Sequence, residues 1–114
     1  MNIKELMTIS HDISVQHGWW VKERNVGEAL ALVHSEVSEA LEEWRKGLRL
    51  TAIYFNPDDE GSYRKPEGFP TELADIFIRI ADLAEGWGID LEEAITLKTA
   101  YNRSRPHRHG GKLA

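Results

Sequence analysis

The sequence predicts an all-α domain with four helices arranged as a four-helix bundle and one long loop. Apolar residues recur at intervals of three and four in four segments, and glycine or proline separates these segments. The chain has 114 residues, of which 41% are hydrophobic and 29% charged, and this is enough for one hydrophobic core. We therefore expect a single domain over residues 1–114, with a basic, glycine-rich tail from about residue 103.

The first helix is predicted over about residues 3–16, where apolar residues recur at helical spacing. The second begins at Asn25, a suitable N-cap because Glu28 follows three positions later, and it ends at Gly47. The apolar face predicted for the second helix consists of Leu30, Val33, Val37, Ala40, Leu41 and Trp44. Because Trp44 lies in this stripe, we expect it to belong to the core, and we expect the same of Trp87 in the third helix.

The third helix is predicted from Pro70 to Gly86 or Gly88, with a strong apolar stripe. A fourth follows, capped by Asp90 and ended by Pro106. Residues 47–69 fit neither helical nor strand periodicity for long, although residues 51–55 favour a short strand or helical turn. Loops of this length inside compact domains are uncommon and often functional.

Composition excludes several classes of protein. The chain has no cysteine, so disulfides, thiolate metal sites and thiol nucleophiles are excluded. It contains no run of about 18 apolar residues and its N-terminus lacks a secretory pattern, so we expect a cytoplasmic protein with no membrane partner. The net charge is −5, and no acid follows Lys98, so the negative charge is concentrated in the residues before it. An acidic body repels nucleic acid, and we therefore expect no nucleic-acid partner.

Acidic residues form rows on two of the predicted helices. Glu36, Glu39 and Glu43 share a face of the second helix, and Glu72 and Asp75 lie one turn apart on the third. Such rows are often solvated faces, but like charges at this spacing repel by about 0.2–0.5 kcal/mol per pair. No basic residue stands three or four positions from Glu36 or Glu39, so a bound cation is the alternative interpretation.

Carboxylate oxygens without histidine or cysteine are the ligands that hard divalent cations prefer. A di-iron bundle would require the Glu-x-x-His pattern, which this chain lacks. The E-x-x-E motif from Glu36 to Glu39 and the E-x-x-D motif from Glu72 to Asp75 therefore indicate a magnesium site, if the two helices pack against each other.

The segments HSEVSEALEEWRKG and PTELADIFIRIADLAEGWGIDLEEAI resemble the MazG-like, all-α nucleoside triphosphate pyrophosphohydrolases. This resemblance implies a helical fold completed by oligomerisation, as a homodimer or homotetramer. It also implies a hydrolase acting on acid anhydrides, which converts (d)NTP and water into (d)NMP and pyrophosphate, with removal of surplus or non-standard nucleotides as one role.

The resemblance also implies roles for individual residues. The implied Mg²⁺ ligands, with Mn²⁺ as a substitute ion, are Glu36, Glu39, Glu72 and Asp75. Glu39 would also direct the attacking water as a base, and Glu43 or Glu42 would serve as an additional acid. Many members have an acid directly before the first motif glutamate, and Ser35 at that position leaves the number of metal ions open.

Substrate contacts are expected from a second group of residues. On the fourth helix and just past its end, Lys98, Asn102 and Arg105 offer donors for phosphate or sugar, although a basic helix end can also be a purely structural feature. The resemblance places His11 and Trp20 near the base, and His11 alone also fits a structural role. The remaining candidate, Arg79, would either contact phosphate or pair with Asp75 and Asp82.

Two alternatives stay open at this point. One is a non-enzymatic helical oligomerisation or interaction module, in which the acidic rows are simply surface. The other is a phosphoribosyl-ATP pyrophosphohydrolase-like relative, which would share the metal motif and the reaction.

Overall fold

The computed structural model describes residues 1–58, 61 and 63–106, so residues 107–114 of the predicted basic tail lie outside the described part. The helices are α1 (Ile3–Gln16), α2 (Val26–Arg45), α3 (Phe69–Gly86) and α4 (Leu91–Ser104). Between α2 and α3, the strands β1 (Tyr54–Phe55) and β2 (Pro66–Glu67) pair antiparallel. The predicted all-α class with four helices is confirmed. None of the helices in the described residues is long and apolar enough to cross a membrane.

Side-chain caps set the starts of three helices. The Asn2 side chain accepts a hydrogen bond from the Glu5 backbone N–H at 2.8 Å. Asn25 and Asp90 cap α2 and α4 in the same way, which confirms both predicted N-caps. The Asn25 cap matters for the acidic residues of α2 because it fixes where the turns of that helix begin.

Helix α3 forms the centre of the molecule and packs against α1 on one side and α2 on the other. The core cluster combines Met7 of α1 with Ala81 and Ala84 of α3. The small alanine side chains allow the helices to approach closely. Because α2 also packs on α3, the acidic rows of the two helices face the same junction.

Several apolar residues predicted to be buried are half exposed in the single chain. Trp44 is 57% exposed, and Val37 and Leu41 beside it are 50% and 51% exposed, so the prediction that Trp44 belongs to the core is wrong for one chain. Trp87 is partly buried. Periodicity shows that these residues share one face of α2, but it cannot show what covers that face.

Helix α4 has no buried residue, and its main contact is with α1. An isolated helix of this length is marginal in water, because most helical stability in proteins comes from tertiary packing. The radius of gyration of 17.0 Å exceeds the roughly 13 Å expected for a compact chain of this length.

The loop between α2 and α3 folds back on itself through the β1–β2 hairpin. Of the short strand or helical turn predicted for residues 51–55, the strand is the one that forms, at Tyr54–Phe55. Gly68 has a φ of +119°, and a Cβ at this position would overlap the carbonyl oxygen of Ala52. Glycine is therefore required where the returning chain crosses the start of the loop and enters α3.

Candidate metal site between helices α2 and α3

Three carboxylates from the two predicted motifs come together at the junction of α2 and α3. Glu36 of α2 and Glu72 and Asp75 of α3 each place one oxygen within 4.8 Å of the others. Glu36 and Glu72 are partly buried and Asp75 is exposed. These three residues, called the acidic cluster below, could hold a metal ion, and the cluster is accessible from solvent on the Asp75 side.

Burial and mutual repulsion raise the pKa of two carboxyls in this cluster. The pKa of Glu72 lies above its ordinary value of 4.5, first because of burial and then because of the charges of Asp75, Glu36, Glu39 and Glu43. Burial also raises the pKa of Asp75, with the Glu36 charge as the next cause. A bound cation would relieve this repulsion, because it favours the charged form of every carboxyl nearby.

One positive charge already lies at the edge of the acidic cluster. The Arg79 Nε donates a hydrogen bond to Glu36 Oε1 at 2.6 Å, and the Arg79 charge opposes the rise in the pKa of Asp75. Sequence reasoning named Asp75, Asp82 or phosphate as partners of Arg79, and it missed Glu36. Spacing within one helix reveals only partners on that helix, whereas Glu36 comes from the neighbouring one.

Glu39, predicted as a metal ligand and base, is not one of the three clustered acids, but its charge contributes to the raised pKa of Glu72. It therefore lies near the cluster, on an exposed position of α2. Its metal and catalytic roles stay predictions.

Glu43, predicted as an additional acid, is only 7% exposed and bonds to the loop. Its Oε2 accepts a hydrogen bond from the Tyr54 hydroxyl at 2.9 Å, and its Oε1 accepts one from Lys46 Nζ at 2.9 Å. The hydrogen bond from Lys46 is the largest cause that lowers the pKa of Glu43, and the bond from Tyr54 lowers it further. Glu43 thus anchors the β1–β2 hairpin to α2, and its catalytic role stays a prediction.

An open cleft of about 290 Å³ adjoins the acidic cluster. Glu36 and Asp75 form one part of its lining, and Arg79 lies beside them. The lining continues toward the α1–α2 connection through Asp82, Arg24 and Trp19. A ligand bound at the cluster could therefore extend into this cleft.

The buried Asp82 of α3 joins the α1–α2 connection to the protein body. Its Oδ1 lies 2.9 Å from His11 Nδ1 and accepts a hydrogen bond from Trp20 Nε1 at 2.9 Å. Its Oδ2 lies 3.5 Å from an Arg24 nitrogen. The sequence pointed to His11 and Trp20 but not to Asp82, which contacts both, or to Arg24, which pairs with Asp82, because no local spacing connects these four positions.

The predicted base-binding residues His11 and Trp20 lie together, with ring centroids 5.0 Å apart, and neither is among the described residues that line the cleft. Their contact with a base stays a prediction. The His11 Nδ1 and the Trp20 Nε1 both contact Asp82, and the Trp20 Nε1 also reaches Ser14 Oγ at 3.1 Å.

The predicted phosphate-binding residues of α4 are not brought to the acidic cluster within one chain. Lys98 and Asn102 are exposed, and Lys98 and Arg105 lie 5.4 and 5.5 Å from the Tyr101 ring. Because α4 contacts mainly α1, these residues lie away from the α2–α3 junction. Their role in substrate binding stays a prediction.

Comparison with family models, curated proteins and solved structures found no match for this chain. What the described residues show is a small, mostly helical protein with four helices and an acidic cluster.

Proposed function

We propose that this protein is a divalent-cation-dependent nucleotide pyrophosphohydrolase that converts a (d)NTP and water into a (d)NMP and pyrophosphate. The convergence of Glu36 with Glu72 and Asp75 is the observation that supports the proposal most directly. These residues come from two motifs that are far apart in the sequence, and the choice of reaction comes from the resemblance of those motifs to MazG-like enzymes.

The chemistry of the donors fits a hard divalent cation. The acidic cluster supplies only carboxylate oxygens, which suits Mg²⁺ and also Mn²⁺. Glu36, Glu72 and Asp75 would hold the ion, with Glu39 as a further ligand. When bound, such an ion neutralises phosphate charge and lowers the pKa of water.

Side chains of the protein would carry out the proton transfer and the phosphate binding. Glu39 would accept a proton from the water whose oxygen forms a bond to the α-phosphorus. The bond between the α-phosphorus and the α–β bridging oxygen breaks, and pyrophosphate leaves. Arg79, which bonds to Glu36 at the edge of the cluster, would donate hydrogen bonds to the phosphates, since guanidinium groups bind phosphate oxygens in a bidentate manner.

A second copy of the chain is part of the proposal. Val37, Leu41 and Trp44 are half exposed on one face of α2, and α4 has no buried residue. A homodimer or homotetramer would bury this apolar surface. Light scattering of the purified protein tests this, and Leu41→Lys is expected to shift the mass toward that of one chain. A wild-type protein that is monomeric at high concentration would contradict this part.

Pyrophosphate release tests the reaction. Wild-type protein is incubated with a panel of NTPs and dNTPs, and with phosphoribosyl-ATP, in the presence of Mg²⁺ or EDTA. We expect Mg²⁺-dependent release that Glu72→Gln abolishes and Glu85→Gln preserves, since Glu85 is exposed at the opposite end of α3 from Glu72. If no substrate is hydrolysed and Mg²⁺ does not change the melting temperature, the interaction module becomes the better interpretation. Preference for phosphoribosyl-ATP would indicate the related hydrolase.

A further inference from the structure

The segment between α1 and α2 carries two adjacent tryptophans in different environments. Trp20 is partly buried, and its indole N–H is bonded to both Asp82 and Ser14. Trp19 is 51% exposed and lines the cleft beside the acidic cluster. Of these two tryptophans, Trp19 is therefore the one whose ring lines that cleft.

Packing around Trp20 keeps its ring from moving into the cleft that Trp19 lines. A Cβ on Gly86 of α3 would overlap the Trp20 ring, so the indole lies directly against the α3 backbone. The Trp20 ring also makes edge contacts with His11 and Trp87, at centroid distances of 5.0 and 6.4 Å. Moving Trp20 into the cleft would break its hydrogen bonds and vacate this space against α3.

Arg24 holds Trp19 beside the cleft. The Arg24 guanidinium lies 5.6 Å from the Trp19 ring centroid and 5.3 Å from that of Trp20. Its side chain is only 11% exposed, and it pairs with the buried Asp82. Arg24 thus contacts both rings while its charge is held by Asp82, and its contact restricts where the Trp19 ring can lie.

The position of the cleft connects Trp19 to the acidic cluster. Glu36 and Asp75 line the same cleft as Trp19, so a nucleotide whose phosphates bind at the cluster can extend its base toward this ring. Stacking on an exposed aromatic side chain suits any flat base, and it does not require the indole N–H.

We propose that Trp19 is the residue on which the substrate's base stacks, and that Asp82, Arg24 and Trp20 are positioning residues that hold Trp19 beside the cleft. This inference rests on the proposed nucleotide substrate and adds the residue that recognises its base. It assigns Trp20 a supporting role in place of direct contact with the base.

Equilibrium binding tests the inference separately from turnover. The probes are a non-hydrolysable nucleoside triphosphate and inorganic tripolyphosphate, each with Mg²⁺ and measured by calorimetry. Trp19→Leu is expected to weaken nucleotide binding about tenfold and to leave tripolyphosphate binding unchanged, because tripolyphosphate has no base. Trp19→Phe keeps an aromatic ring and should restore most of the affinity. Tyr63→Leu removes a fully exposed aromatic side chain elsewhere and should change neither affinity.

Equal nucleotide affinity in Trp19→Leu and wild type would overturn the role of Trp19 while leaving the proposed hydrolase intact. Equal loss of nucleotide and tripolyphosphate binding would also overturn it, because the effect would then not concern the base. Wild-type protein that binds no nucleotide would overturn both proposals. Weaker nucleotide binding by Trp19→Leu, without pyrophosphate release by the wild type, would support Trp19 and refute only the hydrolase. If Trp19→Leu fails to fold, Trp19→Phe still decides, since its smaller ring should bind the nucleotide measurably more weakly than tryptophan does.

Discussion

Arg79 of α3 and Glu36 of α2 form the ion pair that joins the two helices at the acidic cluster, with 2.6 Å between Arg79 Nε and Glu36 Oε1. Their side chains are 32% and 14% exposed, so the pair is partly shielded from water. The guanidinium holds one oxygen of a carboxylate that we propose as a metal ligand. Arg79 therefore supplies, in the chain by itself, part of the positive charge that a bound cation would otherwise provide.

Replacing Arg79 by methionine should destabilise the metal-free protein and matter less once a cation is bound. The expected loss is about 1–2 kcal/mol in the free energy of unfolding, between the values for exposed and buried ion pairs. Thermal melts in EDTA and in Mg²⁺ or Mn²⁺ measure both states. Arg45→Met is the matched control, because Arg45 forms an exposed pair with Glu42 and its loss should change stability by less than about 1 kcal/mol in either buffer. If Arg79→Met lost equal stability in EDTA and in metal, Arg79 would not be supplying charge that a bound cation can replace.

Removing an acid from the cluster should stabilise the metal-free protein. Glu72→Gln and Asp75→Asn each eliminate a charge that repels Glu36, so we expect a gain of about 0.5 kcal/mol in EDTA. The same substitutions should abolish the stabilisation by Mn²⁺ or Mg²⁺. Melting curves with and without metal give both quantities, and Glu85→Gln, at an exposed position of the same helix, serves as control. A loss of stability in EDTA would indicate that these carboxylates contribute more through hydrogen bonds than they cost through repulsion.

The helices could be predicted from sequence because their signals are local. Apolar spacing and the caps at Asn25 and Asp90 act within a few residues, and the structure confirms them. Three of the four predicted metal ligands, Glu36, Glu72 and Asp75, also meet as predicted, since the apolar stripes that they flank pack together.

The partners of these acids could not be predicted, because they depend on how separate segments pack. Nothing near Glu43 in the sequence points to Tyr54, which reaches it only after the loop has folded back. Asp82 likewise receives its donors from α1 and the connection after it. Exposure of Trp44 was missed for the opposite reason, since an apolar stripe has the same pattern whether its own chain or another one covers it.

Stability of the metal-free protein should depend on pH through Glu72 and Asp75. Their pKa values are raised above 4.5 and 3.8, so the folded state holds these protons more tightly than the unfolded state does. Their contribution to stability is therefore most favourable below the unfolded pKa values and is lost as pH rises through the folded ones. The difference in unfolding free energy between wild type and the Glu72→Gln/Asp75→Asn double variant isolates this effect. We expect the stability of wild type to fall relative to that of the double variant as pH rises above the unfolded pKa values of about 4, and a difference independent of pH would refute the assignment.

The Tyr54 hydroxyl should hold the hairpin on α2. Tyr54→Phe removes a hydrogen bond to a buried carboxylate, with an expected loss of about 1–2 kcal/mol. Faster amide exchange at the β1–β2 hairpin would locate the effect in the loop. Tyr63→Phe is the control because Tyr63 is fully exposed, and it should leave exchange unchanged. Unchanged exchange in Tyr54→Phe would mean that Lys46 alone satisfies Glu43 and that other contacts hold the hairpin.

Replacing two helical glycines by alanine should change the stability of the protein in opposite directions. A Cβ on Gly86 would overlap the Trp20 ring, so Gly86→Ala should displace the indole and destabilise the protein by about 1–3 kcal/mol. A Cβ on Gly27, in the first turn of α2, would meet only the Asn25 side-chain oxygen, at 3.4 Å. Gly27→Ala should therefore stabilise the protein by up to about 1 kcal/mol through its higher helix propensity. Denaturant melts measure both changes, and tryptophan fluorescence should shift in Gly86→Ala alone. If Gly86→Ala were as stable as wild type with unchanged fluorescence, Trp20 would not be seated against α3, and the support we infer for Trp19 would fail with it.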